Sequence, residues 1–404
     1  MASETRFFDK SLKRLKFIFL CTGLNLERNK SDKWHTIKKR SVYIFNFIWL
    51  NSDIIGAVFW ITDKVKNGKD MTEITYLAPC ATLSLVATLK SLYLIIYEDY
   101  VGQLIKQLRE LDENASDMDT VIKIKTEKEE RRFLNLVINL LNILNIGMVV
   151  NFTFSPLILI AIKYIRTREL ELMLPFLDVY PFDPLDIRYW PLIYMKQIWS
   201  ECIVLLEICG ADYLYYICCT YIRIQFRLLR HELVQLIADR QPNQNVYLRN
   251  GLIKLIKWHQ SLIKAVNTLE IIYSRSTLFN FVLSSVIICL TGFNVTAINN
   301  VAFAVTFLTF LSMSLLQIFF LCLFGDMIMS SSQEVSDAVY NSLWYAADWR
   351  VGKDLLLVQI RAQKPCKLTA FGFADVNLRA FTRIISTAWS YFALLKTMYN
   401  TNQD

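Results

Sequence analysis

The chain has 404 residues, of which 54% are apolar and 20% charged, with a formal net charge of +8. Such a length and composition fit either two soluble domains or one polytopic membrane domain, and the placement of the apolar residues decides between them. Among only 11 glycines and 3 histidines (His35, His231, His259, all scattered) there is no phosphate-cradling loop and no nucleophile arrangement, so no enzyme signature survives.

From the amino terminus, Met1 to Lys16 is punctuated by Arg6, Lys10, Lys13, Arg14 and Lys16, with no clean apolar core and no small-residue cleavage site. It does not read as a signal peptide. Long apolar stretches then follow at about Ser41 to Ile61, Tyr76 to Tyr97, Leu134 to Phe154, Ile198 to Ile222, Thr277 to Ala297, Val301 to Leu323 and Leu378 to Met398. Each is near the ~20 residues that a helix needs to cross ~30 Å of hydrocarbon. The core helices of a soluble protein are usually shorter and carry a polar stripe that several of these stretches lack. The expected fold class is an all-α membrane protein with seven transmembrane helices, a single membrane domain over residues 1–404 without internal repeat or linker.

The basic residues fix an orientation. Lys33, Lys38, Lys39 and Arg40 crowd the start of the first stretch, and most of the 44 basic residues fall before it or between the second and third, fourth and fifth, and sixth and seventh stretches. By the positive-inside rule the amino terminus is cytoplasmic and the carboxyl terminus extracellular. The excess positive charge therefore reports topology in a lipid bilayer, and no nucleic-acid partner is expected. Sequons at Asn29 and Asn114 fall on the expected inner side, and those at Asn151 and Asn294 at outer helix ends.

Segments between the stretches are expected to be structured. Val101 to Leu111 keeps helical spacing below the second stretch, and Lys123 to Arg132 is a charged helical lead into the third. Ile222 to Ala238 continues the fourth stretch as helix, and Gln241-Pro242-Asn243 breaks it. Val246 to Ile272 resumes with Leu252, Leu255, Ile256, Leu262, Ile263, Val266 and Leu269 on one stripe. Such stripes need partners, which predicts a helical bundle beneath the membrane. The outer segment Leu174 to Pro191 is rich in proline (Pro175, Pro181, Pro184, Pro191) and aromatics (Phe176, Tyr180, Phe182, Tyr189, Trp190). It reads either as a rigid cap over an outward opening or as an interfacial aromatic belt.

Nine cysteines show no metal-type spacing and read as small apolar packers, so neither a metal nor a cofactor is expected. Polar residues inside apolar spans are costly and are functional candidates by default: Lys90, Asn139, Asn142, Asn145, Glu207, Asp212, Arg379, Arg383 and Lys396. The asparagines, three apart, serve as interhelical glue or as ligand contacts, and Lys90 with Asp212 reads as a buried pair. In the last stretch Thr387, Tyr391, Leu394 and Met398 recur at helical spacing beside Ser390 and Thr397. A ring of such apolar side chains at a symmetry axis would block ions by dewetting, whereas the plainer reading is a helix packed in its own bundle.

At its carboxyl end the chain resembles the insect odorant receptor family. The residues that carry this are Phe324-Gly325, Val335, Asp337-Ala338-Val339-Tyr340, Trp344-Tyr345, Ala362-Gln363-Lys364-Pro365-Cys366-Lys367-Leu368-Thr369-Ala370, Phe381-Thr382 and Ser390-Tyr391-Phe392-Ala393-Leu394-Leu395. Related gustatory receptors favour Thr-Tyr followed by Gln-Phe, where this chain has Tyr391 followed by Thr397-Met398. The long insertion of the shared co-receptor is missing, so the resemblance is to a ligand-tuned subunit.

That resemblance implies an odorant-gated, non-selective cation channel in the plasma membrane of olfactory dendrites, a heterotetramer with the co-receptor subunit. It implies a cytoplasmic anchor bundle from about 222–276 and 324–367. The seventh helix is split into a cytoplasmic half, about Trp349 to Lys364, and a pore helix of about 376–398. The implied gate and pore positions are Leu394, Thr397 and Met398 with Tyr391, and Lys396 departs from the usual apolar residue. The implied odorant pocket, for small hydrophobic volatiles in the outer half of the bundle, falls at the depth of Leu83, Val86, Ala87, Asn145, Ile146, Met148, Val149, Ile203, Leu206, Glu207, Phe303, Thr306, Phe307 and Phe310. A G-protein-coupled receptor is disfavoured by the inverted topology and the lack of that class's motifs, and a transporter by the lack of repeats.

Overall fold

The computed structural model describes residues 7–24, 33–66, 71–114, 120–176, 178–180, 182–238, 245–297, 301–346 and 348–401. These form helices α1 (Phe7–Thr22), α2 (Lys33–Lys66), α3 (Met71–Ile96), α4 (Glu98–Asn114), α5 (Thr120–Thr167), α6 (Trp190–Ala238), α7 (Asn245–Ala297), α8 (Val301–Tyr340), α9 (Trp349–Ala362) and α10 (Leu378–Thr401). A two-stranded hairpin, β1 (Thr369–Ala370) and β2 (Ala374–Asp375), sits between α9 and α10.

Among the described residues, α2, α3, α5, α6, α7 and α8 are long and apolar enough to cross a membrane. The seventh expected span is the helix α10, which is long enough at 24 residues but carries Arg379, Arg383 and Lys396 and is more polar. Faces that meet no protein are greasy: on α2, Ile44, Phe45, Ile48, Ile55 and Phe59 are exposed, and on α5 Leu136, Ile143, Val150 and Phe154. In water such continuous apolar faces would be untenable, whereas lipid covers them without penalty.

α6 is the axis of the fold. Within its apolar stretch 89% of residues are buried, and it packs on α1, α2, α3, α5, α7 and α8. Because α5, α6 and α7 run for 48, 49 and 53 residues, they are roughly twice the length that ~30 Å of hydrocarbon requires. The extra length forms a second bundle beyond the apolar zone, as the stripe on α7 predicts: Leu252, Leu262, Val266 and Leu269 are fully buried.

Charge pairs hold that bundle together. Glu130 on α5 accepts from Arg223 at 3.1 Å and from Arg227 at 2.6 Å, Arg227 reaches Glu129 at 3.3 Å, and Arg230 pairs with Glu334 of α8. α4 continues α3 almost without a break, with Val101 N–H donating to Tyr97 O at 3.0 Å. The amino-terminal segment forms the amphipathic α1. Its Phe8, Leu12, Leu15 and Phe19 recur at helical spacing and are buried, Phe8 lying 4.9 Å from the Tyr221 ring of α6. The break expected at Gln241-Pro242-Asn243 lies outside the described residues, as does Asn29.

The link from α9 to α10 is tightly specified. Phe371 and Gly372 both have positive φ (50° and 76°) and form the two-residue turn whose closing bond runs from Phe373 N–H to Ala370 O at 3.0 Å. The unusual backbone at Phe371 is held by its N–H donating to Ser274 Oγ at 2.9 Å and by the Arg275 guanidinium 5.5 Å over its ring. Val376 then passes so close to α8 that a Cβ on Gly325 would lie 2.3 Å from its carbonyl oxygen.

Candidate functional site

Two features stand out, a cavity at the end of the bundle carrying residues 168–189 and a free face on α10. The cavity forms because α6 presents Gln197, Ser200, Glu201, Val204 and Leu205 along one stripe towards α2, α3 and α5. Arg168, in the left-handed conformation (φ 59°), ends α5 and turns the chain back over them. The returning loop is pinned to α6. Phe176 N–H donates to Gln197 Oε1 at 3.1 Å, Gln197 Nε2 donates to Phe176 O at 3.0 Å, and Trp190 Nε1 donates to Met173 O at 2.9 Å. The aromatic segment is thus a cap, with Phe176 stacked 5.4 Å from Phe152.

Beneath the cap lies a space of about 590 Å³, part of it open to the outside. Its floor is apolar: Leu83 of α3, Met148 and Phe152 of α5, Val204 and Leu205 of α6, and Phe310 of α8. Its rim is polar and acidic, with Asp53 on α2, Asp178 in the cap, and Ser200 and Glu201 on α6. Asp53 pairs with Lys196 and accepts from Ser200. Asp178 accepts from Gln197 Nε2 at 3.4 Å. Burial, followed by the nearby Asp53 carboxylate, pushes the Asp178 carboxyl up to about 7 despite Lys196.

Of the residues singled out from sequence, Leu83, Met148 and Phe310 line this cavity. Val86, Ala87 and Ile203 are buried in the cluster behind them, and Val149 and Leu206 pack against that cluster half-buried. Asn145 is buried and donates to Cys209 Sγ at 3.0 Å, and Thr306 accepts from Asn151 Nδ2 at 2.8 Å. Phe307 and Glu207 are buried without lining the cavity. Ile146 is 63% exposed on the outer side of α5 and points away from it. The side chain of Phe303 lies outside the described residues.

On α10, Ala380, Ile384 and Ala388 recur every fourth residue and are buried against α7 and α8, and Tyr399 meets Phe293 edge-on at 5.5 Å. The opposite side is uncovered: Tyr391, Leu394 and Met398 are 56%, 57% and 48% exposed. Between them, the hydroxyls of Thr387, Ser390 and Thr397 donate to backbone carbonyls one turn back, at 2.9, 3.0 and 3.0 Å. Lys396 is also exposed.

The arrangement has close counterparts among known proteins. The sequence profile described as 7tm Odorant receptor matches residues 70–389. The chain belongs to the 7tm odorant receptor family. Odorant receptor 67c of Drosophila melanogaster is 27% identical over 369 residues, 89% of each chain, and putative odorant receptor 92a of the same species is 26% identical over 373 residues, 89% of this chain and 88% of the other. The structure of the olfactory receptor OR5 from Machilis hrabei in complex with eugenol superposes with a TM-score of 0.83 at 16% identity, covering 97% of this chain and 98% of that one. This odorant receptor is therefore a multi-pass membrane protein of that fold.

Several cavity residues of the receptor were not singled out in the sequence. Asp53 and Glu201 are carboxylates inside apolar spans and satisfy the rule that drew attention to Glu207. Glu201 is hidden by its position near the end of its span, where a charged side chain is unremarkable, whereas Asp53 lies mid-span and meets the rule outright. Ala57, Cys80, Ala81 and Ser84 are small residues whose role is to leave room, and no composition signal marks an absence.

Proposed function

We propose that this chain is the ligand-tuned subunit of an odorant-gated, non-selective cation channel, working in the plasma membrane as a heterotetramer with the odorant co-receptor. The cavity under the cap takes a small hydrophobic volatile, and α10 is the wall of the conduction path. The observation that carries this reading is the two-sided character of α10. One face packs on α7 and α8, while the other presents Tyr391, Leu394 and Met398 uncovered at a length suited to a membrane. Symmetry-related copies of that face around one axis make a narrow apolar ring at Leu394, dry when tight and wet when displaced outward.

In the same reading the cap faces outside and the charged bundle formed by about 222–276 and 324–367 lies in the cytoplasm as the anchor between subunits, in line with the distribution of basic residues. Four copies of the exposed Lys396 around one axis would repel one another and passing cations, which favours a heteromer. The ligand opens the path by binding the state with α10 displaced better than the closed one.

The test is current recorded in excised patches without added nucleotide, from cells expressing this chain with the co-receptor and alone, against a panel of volatiles. Cysteines at 394 and 397 are expected to react with external thiol reagents faster in the presence of an activating volatile. Stimulus-independent reactivity at both positions removes α10 from the conduction path, and equal currents without the co-receptor remove the heteromer.

A further inference from the structure

Among the described residues the rim of the cavity holds three carboxylates, and the ammonium beside them, that of Lys196, is committed. Lys196 pairs with Asp53 and lies over the rings of Tyr180 and Trp49 at 5.3 and 6.0 Å. Asp53 has a second donor in Ser200, and Asp178 has Gln197. Glu201 differs from both. Its side chain lines the cavity, the residue is only 7% exposed, and its Oε1 is buried without a hydrogen-bond partner among the described residues.

An unmatched carboxylate shut away from water is expensive, while the same group meeting an ammonium forms a short, charge-assisted hydrogen bond. Below Glu201 the walls are aliphatic and aromatic, with Leu83, Phe152 and Phe310 offering only dispersion. A ligand that matches both halves has a compact cationic or donor head at the rim and a hydrocarbon tail on the floor.

Resting on the reading of this cavity as the odorant site, we infer that its preferred ligands are volatile primary amines, with the ammonium held by Glu201 and the tail seated among Leu83, Phe152 and Phe310. Glu201 is then a specificity-determining residue. Neutral volatiles of the same skeleton fill the floor but leave Glu201 unmatched, a penalty that a site built for a polar donor imposes on analogues that lack it.

The experiment uses the full chain purified in detergent and three probes of one shape: phenethylamine, phenethyl alcohol and propylbenzene. The readout is the concentration of each needed to raise the thermal unfolding midpoint. In the unaltered chain phenethylamine is expected to act at a concentration at least about tenfold below the other two, as one charge-assisted hydrogen bond implies. Glu201→Gln is expected to bring the three within about threefold of one another. Where Glu201→Gln does not purify folded, Glu201→Asp carries the same reading, because a retracted carboxylate lowers the amine preference without abolishing it.

A control separates this inference from the one beneath it. Leu83→Trp, which fills the floor, is expected to remove stabilisation by all three probes. If it leaves all three unchanged, the cavity is not the odorant site. If it removes them while the unaltered chain shows no amine preference, or Glu201→Gln retains one, the cavity stands and the amine assignment is overturned. No stabilisation by phenethylamine at any concentration also overturns it.

Discussion

Lys90 Nζ of α3 lies 2.6 Å from Asp212 Oδ1 of α6, both side chains almost wholly buried, and the second carboxylate oxygen of Asp212 accepts from Gln317 Nε2 of α8 at 2.8 Å. Three helices are thereby tied at mid-bundle by one charge pair and one amide. Removing a single partner of a buried pair leaves an uncompensated charge, a loss of about 3–5 kcal/mol, whereas replacing both by apolar groups is often neutral. Lys90→Met is therefore expected to lower the thermal midpoint of the detergent-solubilised chain sharply. Lys90→Met with Asp212→Leu should recover most of that loss. A double variant no better than the single one would mean that the pair is not the source of the effect.

Gly325 meets Val376 at the crossing of α8 with the exit of the hairpin, where a methyl group would stand 2.3 Å from a backbone oxygen. Backbone cannot rotate away as a side chain can. Gly325→Ala is expected to destabilise the chain by about 1–3 kcal/mol through overpacking and to shift α10 against α8. The checks are the unfolding midpoint and the odorant concentration for half-maximal current. Gly292→Ala serves as the comparison, since its added methyl would meet Phe392 at an ordinary 3.7 Å.

Much of this was legible in the sequence where one physical rule acts alone. Span length locates α2, α3, α5, α6, α7 and α8, and the cost of charge in lipid pairs Lys90 with Asp212. The stripe from Leu252 to Leu269 announced the second bundle. Where rules compete, the reading thins. α1 is too short and too basic to register as a span, although Phe8, Leu12, Leu15 and Phe19 mark it as amphipathic. Of the three asparagines on α5, Asn142 accepts from Tyr213 and Asn145 donates to Cys209, while Asn139 is exposed, because three-residue spacing drifts around a helix of 3.6 residues per turn. The cavity was the least legible part. Its residues come from α2, α3, α5, α6, α8 and the cap, and only packing tells Met148 from its neighbour on the outer side, Ile146.

Asp178 couples the cap to acidity. Its carboxyl sits at about 7 in the folded chain against an ordinary 3.8, raised first by burial and then by Asp53. Between those values the docked cap holds a proton that a released cap would not, so docking strengthens as pH falls through this window and weakens as pH rises through it. Hydrogen exchange at Phe176, whose N–H is bonded to Gln197, is expected to be faster at pH 8 than at pH 6 after correction for the intrinsic rate. Asp178→Asn should abolish the difference. An unchanged pH response in that variant would assign the coupling to another group.

Leu394 is the position where the reading of α10 is most exposed to test. It is the largest aliphatic side chain on the uncovered face, one turn from Met398 and nearly one from Tyr391, and the hydroxyls beside it are turned back onto the helix. If α10 walls the path as proposed, closure depends on apolar bulk at this level and not on a charge or a hydrogen bond. Dewetting is lost when the constriction widens or becomes polar, so Leu394→Ala and Leu394→Ser should both raise the current that flows without any volatile. Leu394→Met, which keeps volume and apolarity, should leave it near the original level. The serine variant is the sharper probe, since it differs from alanine by one hydroxyl and should leak more. The measurement is holding current in ligand-free solution, normalised to the maximal odorant response. Equal leak in the serine, alanine and methionine variants would place the gate at another level of the helix.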